Sequence, residues 1–134
     1  MAASLNITLL YAGLLAVLLI VWSLNVVRLR LQEQVGLGSG QSIRLAAAIR
    51  IQGNFVEYVP MALVLLALME WHGAAAPLLH TLGLVLLIGR LIHGIGLTQS
   101  AGKSAGRMLG TLATMAVLLV QAGYAIGAYF GAIL

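Results

Sequence analysis

IRLAAAIRIQGNFVEYVPMALVLLALM, residues 43–69, decides how this chain folds. A helix over this stretch reaches about 40 Å at 1.5 Å per residue, more than the roughly 30 Å hydrocarbon core of a bilayer. Yet the stretch carries Arg44, Arg50, Asn54, Glu57 and Pro60. An ionisable group inside hydrocarbon costs several kcal/mol, so it faces protein or a water-filled cavity. With 100° of turn per residue, Arg50, Asn54 and Glu57 fall at about 0°, 40° and −20° around the helix. They form one polar stripe on an otherwise apolar rod.

The flanking sequence repeats the apolar theme. Before this stretch lies a run from Leu5 to Val27, broken only by Asn6, Thr8, Ser23 and Asn25. No lysine or arginine precedes that run, and Arg28 and Arg30 follow it, the reverse of a secretory signal, so a retained span is expected. Gln34 to Ser42, rich in Gly and Ser, reads as a loop, with Ser42 placed to cap the next helix. Beyond the Glu70-Trp71-His72-Gly73 turn, a third run over 77–97 holds His80, Arg90 and His93. A second Gly/Ser loop carries Lys103, and a fourth run spans 107–132. One domain over 1–134 with spans at about 5–27, 43–69, 77–97 and 107–132 is therefore expected: an all-α membrane protein, a bundle of four transmembrane helices.

Composition agrees. The chain of 134 residues is 62% hydrophobic and 7% charged, whereas a soluble domain carries roughly 25% charged residues. That excludes an ordinary soluble enzyme and a disordered chain, and a net charge of +4 on so apolar a chain makes no nucleic-acid surface. No cysteine is present, so disulfides, thiolate metal sites and a cysteine nucleophile are absent. The alternation of a transmembrane β-barrel is also absent. All seven cations (Arg28, Arg30, Arg44, Arg50, Arg90, Lys103 and Arg107) lie toward the first and third loops. By the positive-inside rule those loops are cytoplasmic and both termini outside. Glu70, His72 and His80 lie on the outer side, where interfacial polar residues need no metal; none is assigned.

Charge balance inside the membrane points to a ligand. Arg50, Glu57 and Arg90 are all expected to be buried, the two arginines at similar depth and Glu57 near the middle. Glu57 neutralises one arginine and Asn54 completes the hydrogen bonds, which leaves the other cation without a carboxylate, since the chain has no aspartate. Surplus buried positive charge calls for an anion from outside, and guanidinium groups suit carboxylate or phosphate. His93, one turn after Arg90, either lines the same cavity or bonds a neighbouring helix. Glycines at 102, 106 and 110, and again at 123, 127 and 131, let helices approach closely, inside one subunit or between subunits.

Arg50-Ile-Gln-Gly-Asn54-Phe-Val-Glu57-Tyr58-Val-Pro60, followed on the next span by Arg90-Leu-Ile-His93-Gly, resembles the MAPEG family, the membrane-associated proteins of eicosanoid and glutathione metabolism. The likeness extends over nearly the whole chain and is strongest to small bacterial members. It implies a homotrimer of four-helix bundles in the bacterial inner membrane, among membrane lipids. Glutathione would bind as co-substrate between subunits near the cytoplasmic face, and a small lipophilic electrophile would enter from the bilayer. Arg50 and Arg90 would then hold carboxylates or brace the site, and Glu57 would meet the ammonium or orient an arginine. Asn54, Tyr58 and His93 would add contacts, and Arg28 or Arg30 would close the site. Arg107 matches the arginine that stabilises the thiolate in catalytic relatives, with Lys103 its rival. Leu97 stands where many members carry a tyrosine. The implied activity is glutathione transfer, with peroxidase activity as an extension. A non-catalytic lipid or amphiphile binder of the same fold is the alternative. A proton-coupled exporter is disfavoured, because its carboxylate belongs on a first helix that here has none before Glu33.

Overall fold

A computed structural model describes the backbone of residues 4–99 and 105–133, and the side chains of 4–96 and 105–131. The described chain is four helices: α1 Asn6–Glu33, α2 Ile43–Trp71, α3 Ala76–Gln99 and α4 Ala105–Ile133. All four are long and apolar enough to cross a membrane. The helices outrun the apolar runs, most of all α1, which continues past Val27 to Glu33. Hydropathy marks where lipid ends, whereas Arg28, Arg30 and Glu33 favour helix and keep the backbone ladder going outside it.

Each helix end has a local cause. Gln34 turns into the left-handed region at φ 56°, and its N–H bonds the Arg30 carbonyl, which stops α1. Ser42 caps α2, its Oγ accepting from the Leu45 N–H at 3.2 Å. Gly73, at φ +85°, makes the tight turn into α3 that an L side chain would resist. The start of α1 has no side-chain cap of its own. Glu70, at the far end of α2, supplies one: its carboxylate accepts from the N–H groups of Ile7 at 2.9 Å and Thr8 at 2.7 Å.

The bundle core is aliphatic and sits toward the end that holds Glu70. Leu15, Phe55, Leu66, Leu79, Leu86 and Val117 bring all four helices into it. α2 contributes Leu45, Ala48, Ile51, Phe55, Val59, Ala62, Leu66 and Met69, the steps of three and four that make one helical face. Arg50 and Glu57 lie away from that face, and Asn54 stands at its edge. Among the described residues, the backbones of α1 and α4 flank α2 and α3 and make no close approach to each other. Outward-facing leucines and valines, such as Leu9 and Leu24 on α1, remain exposed as a lipid-facing surface should.

Small residues set the helix separations. The Tyr11 ring lies against Gly83 and the Trp22 ring against Gly94, so α1 meets α3 through aromatics seated on glycine. A Cβ on Gly110 would stand 2.6 Å from the His93 Cβ, and one on Gly106 would stand 3.2 Å from the Ile92 carbonyl oxygen. That half of the glycine ladder therefore packs α4 onto α3 within one subunit; Gly102 lies outside the described residues. A Cβ on Gly123, Gly127 or Gly131 would meet no atom of another element within 4 Å, so these glycines leave an open strip on α4. Gln121, 1% exposed, donates to the Ala62 carbonyl at 3.0 Å and ties α4 to α2.

Candidate ligand cleft

Residues 43, 46, 47, 50 and 54 follow helical spacing along one flank of α2. On α4, Arg107 and Thr111 are one turn apart and face them across a cleft of about 450 Å³. His93 of α3 closes the back. The volume is that of small-molecule sites generally, and the wall is divided: Ile43, Ala46 and Ala47 are apolar, while Arg50, Asn54, His93, Arg107 and Thr111 carry the polar groups. Such a lining suits a ligand with anionic groups and an extended body.

The three charges expected to be buried part company. Arg90 alone is buried, at 2% exposure. Arg50 and Glu57 pair with each other at 3.3 Å, yet their side chains are 62% and 48% exposed. The reason is the face of α2 they occupy: the apolar stripe has taken the core, and Arg50 and Glu57 are left on the exposed side of the helix. Asn54 does not join that pair. Its Oδ1 accepts from Nη1 of Arg90, whose Nη2 donates to the Gly110 carbonyl at 2.8 Å. Arg90 is thus a strut linking α2, α3 and α4 through neutral acceptors, and its buried Nε has no partner among the described residues.

Other expected residues are distributed as follows. Tyr58 is half-buried, one turn past Asn54. Arg28 and Arg30 do not line this cleft. Arg28 donates to Asn25 Oδ1 at 3.0 Å. Arg30 holds the first loop, its Nη1 donating to the carbonyls of Gly38 at 2.9 Å and Val35 at 3.3 Å. Lys103 and the side chain of Leu97 lie outside the described residues.

Sequence reasoning passed over Thr111, although its place one turn after Arg107 is legible; its hydroxyl donates to the Arg107 carbonyl at 2.9 Å. It also passed over the tasks of the outer residues. Glu70 caps α1, the Tyr11 hydroxyl donates to the His80 carbonyl at 3.0 Å, and His72 Nδ1 and the Tyr124 hydroxyl are 3.2 Å apart.

Comparison with known proteins agrees with the four-helix architecture. The MAPEG family matches residues 8–127. Inner membrane protein YecN of Escherichia coli strain K12 is 46% identical over 112 residues, 84% of each chain. The protein of the same name in Escherichia coli O6:H1 matches to the same extent.

Proposed function

The chain belongs to the MAPEG family, and from that premise we propose that it is a glutathione-dependent membrane transferase working as a homotrimer. The observation that carries the reading is the α2–α4 cleft, which gathers Arg50, Asn54, His93 and Arg107 around one space. Glutathione has two carboxylates, one ammonium and a thiol. Arg50 offers a guanidinium for a carboxylate, and Glu57 beside it offers an acceptor for the ammonium. Asn54, held by Arg90, presents its remaining amide hydrogens, and Tyr58 its hydroxyl. Arg90 acts here by bracing Asn54 rather than by touching ligand.

Arg107 is the thiolate residue in this reading. A cation beside a thiol lowers its pKa and raises the thiolate fraction at neutral pH. The thiolate sulfur then attacks an electrophilic carbon of a lipophilic substrate, a carbon–sulfur bond forms, and the leaving group departs with its electron pair. The trimer gives the exposed flank of α2 a protein neighbour, and Arg28 or Arg30 closes the cleft from that neighbour. The basic loops face the cytoplasm and the termini the other side, in an inner membrane.

The test is an ultraviolet difference spectrum of the detergent-purified protein titrated with glutathione near neutral pH. A saturable thiolate band that disappears in Arg107→Ala, with assembly unchanged, is the expected result. An unchanged band in that variant transfers the role to Lys103. Absence of the band from the wild type favours the second reading, a non-catalytic lipid or amphiphile binder, for which Leu97 in place of a tyrosine is the motivating observation.

A further inference from the structure

A second, smaller cleft lies between the C-terminal part of α1 and the first turns of α2. It measures about 180 Å³ and is lined by Asn25, Arg28 and Leu29 on one side and Arg44, Ala47 and Ala48 on the other. It touches the α2–α4 cleft only at Ala47. We infer that this cleft seats the phosphate of an anionic phospholipid.

Charge is the first argument. Arg28 and Arg44 converge on one small space, and among the described residues neither is paired with a carboxylate. Arg28 spends one N–H on Asn25 Oδ1, which aims the guanidinium and leaves its other donors for a ligand. Arg44 stands in the first turn of α2, a turn that contains no acidic residue. The partial positive charge of that helix end adds to the two guanidiniums, where a cation is otherwise disfavoured. An anion in the cleft offsets all three.

Place and shape select the anion. Arg28 directly follows the apolar run that ends at Val27, and Arg44 is the second residue of α2, so both guanidiniums stand at the membrane boundary. Below Arg44, about one turn deeper along α2, the lining is apolar, Ala47 and Ala48, and Leu29 beside Arg28 packs with Ala48 and Leu45 into a small core. A polar rim over an apolar wall at this depth matches a phosphodiester with glycerol and acyl chains beneath it. A soluble phosphate would leave that wall unused. Basic pockets between membrane helices are the recognised setting for such headgroups.

Arg44 is the residue to change, because it has no part in the proposed glutathione site. Native mass spectrometry of the full-length protein released from micelles containing equal phosphatidylglycerol and phosphatidylcholine reads the preference directly. Wild type retains phosphatidylglycerol over phosphatidylcholine, Arg44→Ala lowers that ratio about fivefold, and Arg44→Lys keeps most of it. Arg44→Gln, which keeps much of the side-chain bulk and removes the charge, produces a comparable loss and serves in its place should Arg44→Ala fail to fold. Equal retention of the two lipids by wild type, or an unchanged ratio in these two variants, overturns the inference. Displacement of the lipid by millimolar glycerol 3-phosphate also overturns it, in favour of a site for soluble phosphates.

Discussion

Arg90 shows how one side chain answers a question of charge without a counter-charge. Its guanidinium is buried, and its two terminal nitrogens reach an amide oxygen on α2 and a backbone carbonyl on α4. A planar fork can span those two acceptors from a single position on α3, whereas a lysine ammonium at the end of a flexible stem cannot hold both. Arg90→Lys is therefore expected to lower stability by about 2 kcal/mol, the worth of one hydrogen bond to a charged group. The midpoint of denaturant unfolding in detergent measures it. A ligand-holding arginine would behave differently, with the midpoint unmoved and only glutathione affinity reduced. The polar stripe put Arg50, Asn54 and Glu57 on one side of α2, but it did not show that Glu57 would take Arg50 while Asn54 went to Arg90. Pairing depended on where α3 and α4 place Arg90, and one of its acceptors is a main-chain oxygen that no residue pattern announces.

At the level of the element, α1 depends on a residue that is 62 positions away. Glu70 accepts from two N–H groups of a first turn that has no cap of its own, so α2 anchors the start of α1. Glu70→Ala is expected to cost about 1 kcal/mol, the usual loss on removing an N-cap. Its local signature is faster hydrogen exchange at Ile7 and Thr8 with exchange in α3 unchanged. Uniform acceleration would mean that Glu70 supports the whole bundle instead. The helices themselves were legible because four apolar runs of bilayer length leave little choice. This cap was not, since capping patterns are read from neighbouring residues. The glycine ladders were half legible: spacing announced close approach, but only the packing of Gly106 and Gly110 on Ile92 and His93 assigns their contacts to one subunit. Gly110→Val is accordingly expected to push α4 from α3 and release the Arg90 strut. A thermal midpoint lower than that of Arg90→Lys checks it, since the wedge removes packing as well as a hydrogen bond.

For the whole molecule, the decisive fact is an ion pair on the outside of a membrane helix. Glu57 is midway along α2, 14 residues from either end, about 21 Å from each at the helical rise. A single bundle would present it, with Arg50, to lipid, the costliest surroundings for charge. Burial against protein resolves that, and a second copy of the chain is the partner proposed above. Glu57→Gln then has two linked consequences. It leaves Arg50 without its carboxylate at the subunit boundary, and it removes the acceptor for the glutathione ammonium. Glutathione affinity is expected to fall at least tenfold, as for truncation of one member of a desolvated pair at an interface. Native mass spectrometry in mild detergent would show wild type as trimer and the variant partly dissociated. If the wild type is a monomer that still binds glutathione, the cover over Arg50 and Glu57 comes from something other than this chain. If Glu57→Gln changes neither affinity nor assembly, the carboxylate serves neither the ligand nor the seam, and the pair is only a local neutralisation of Arg50.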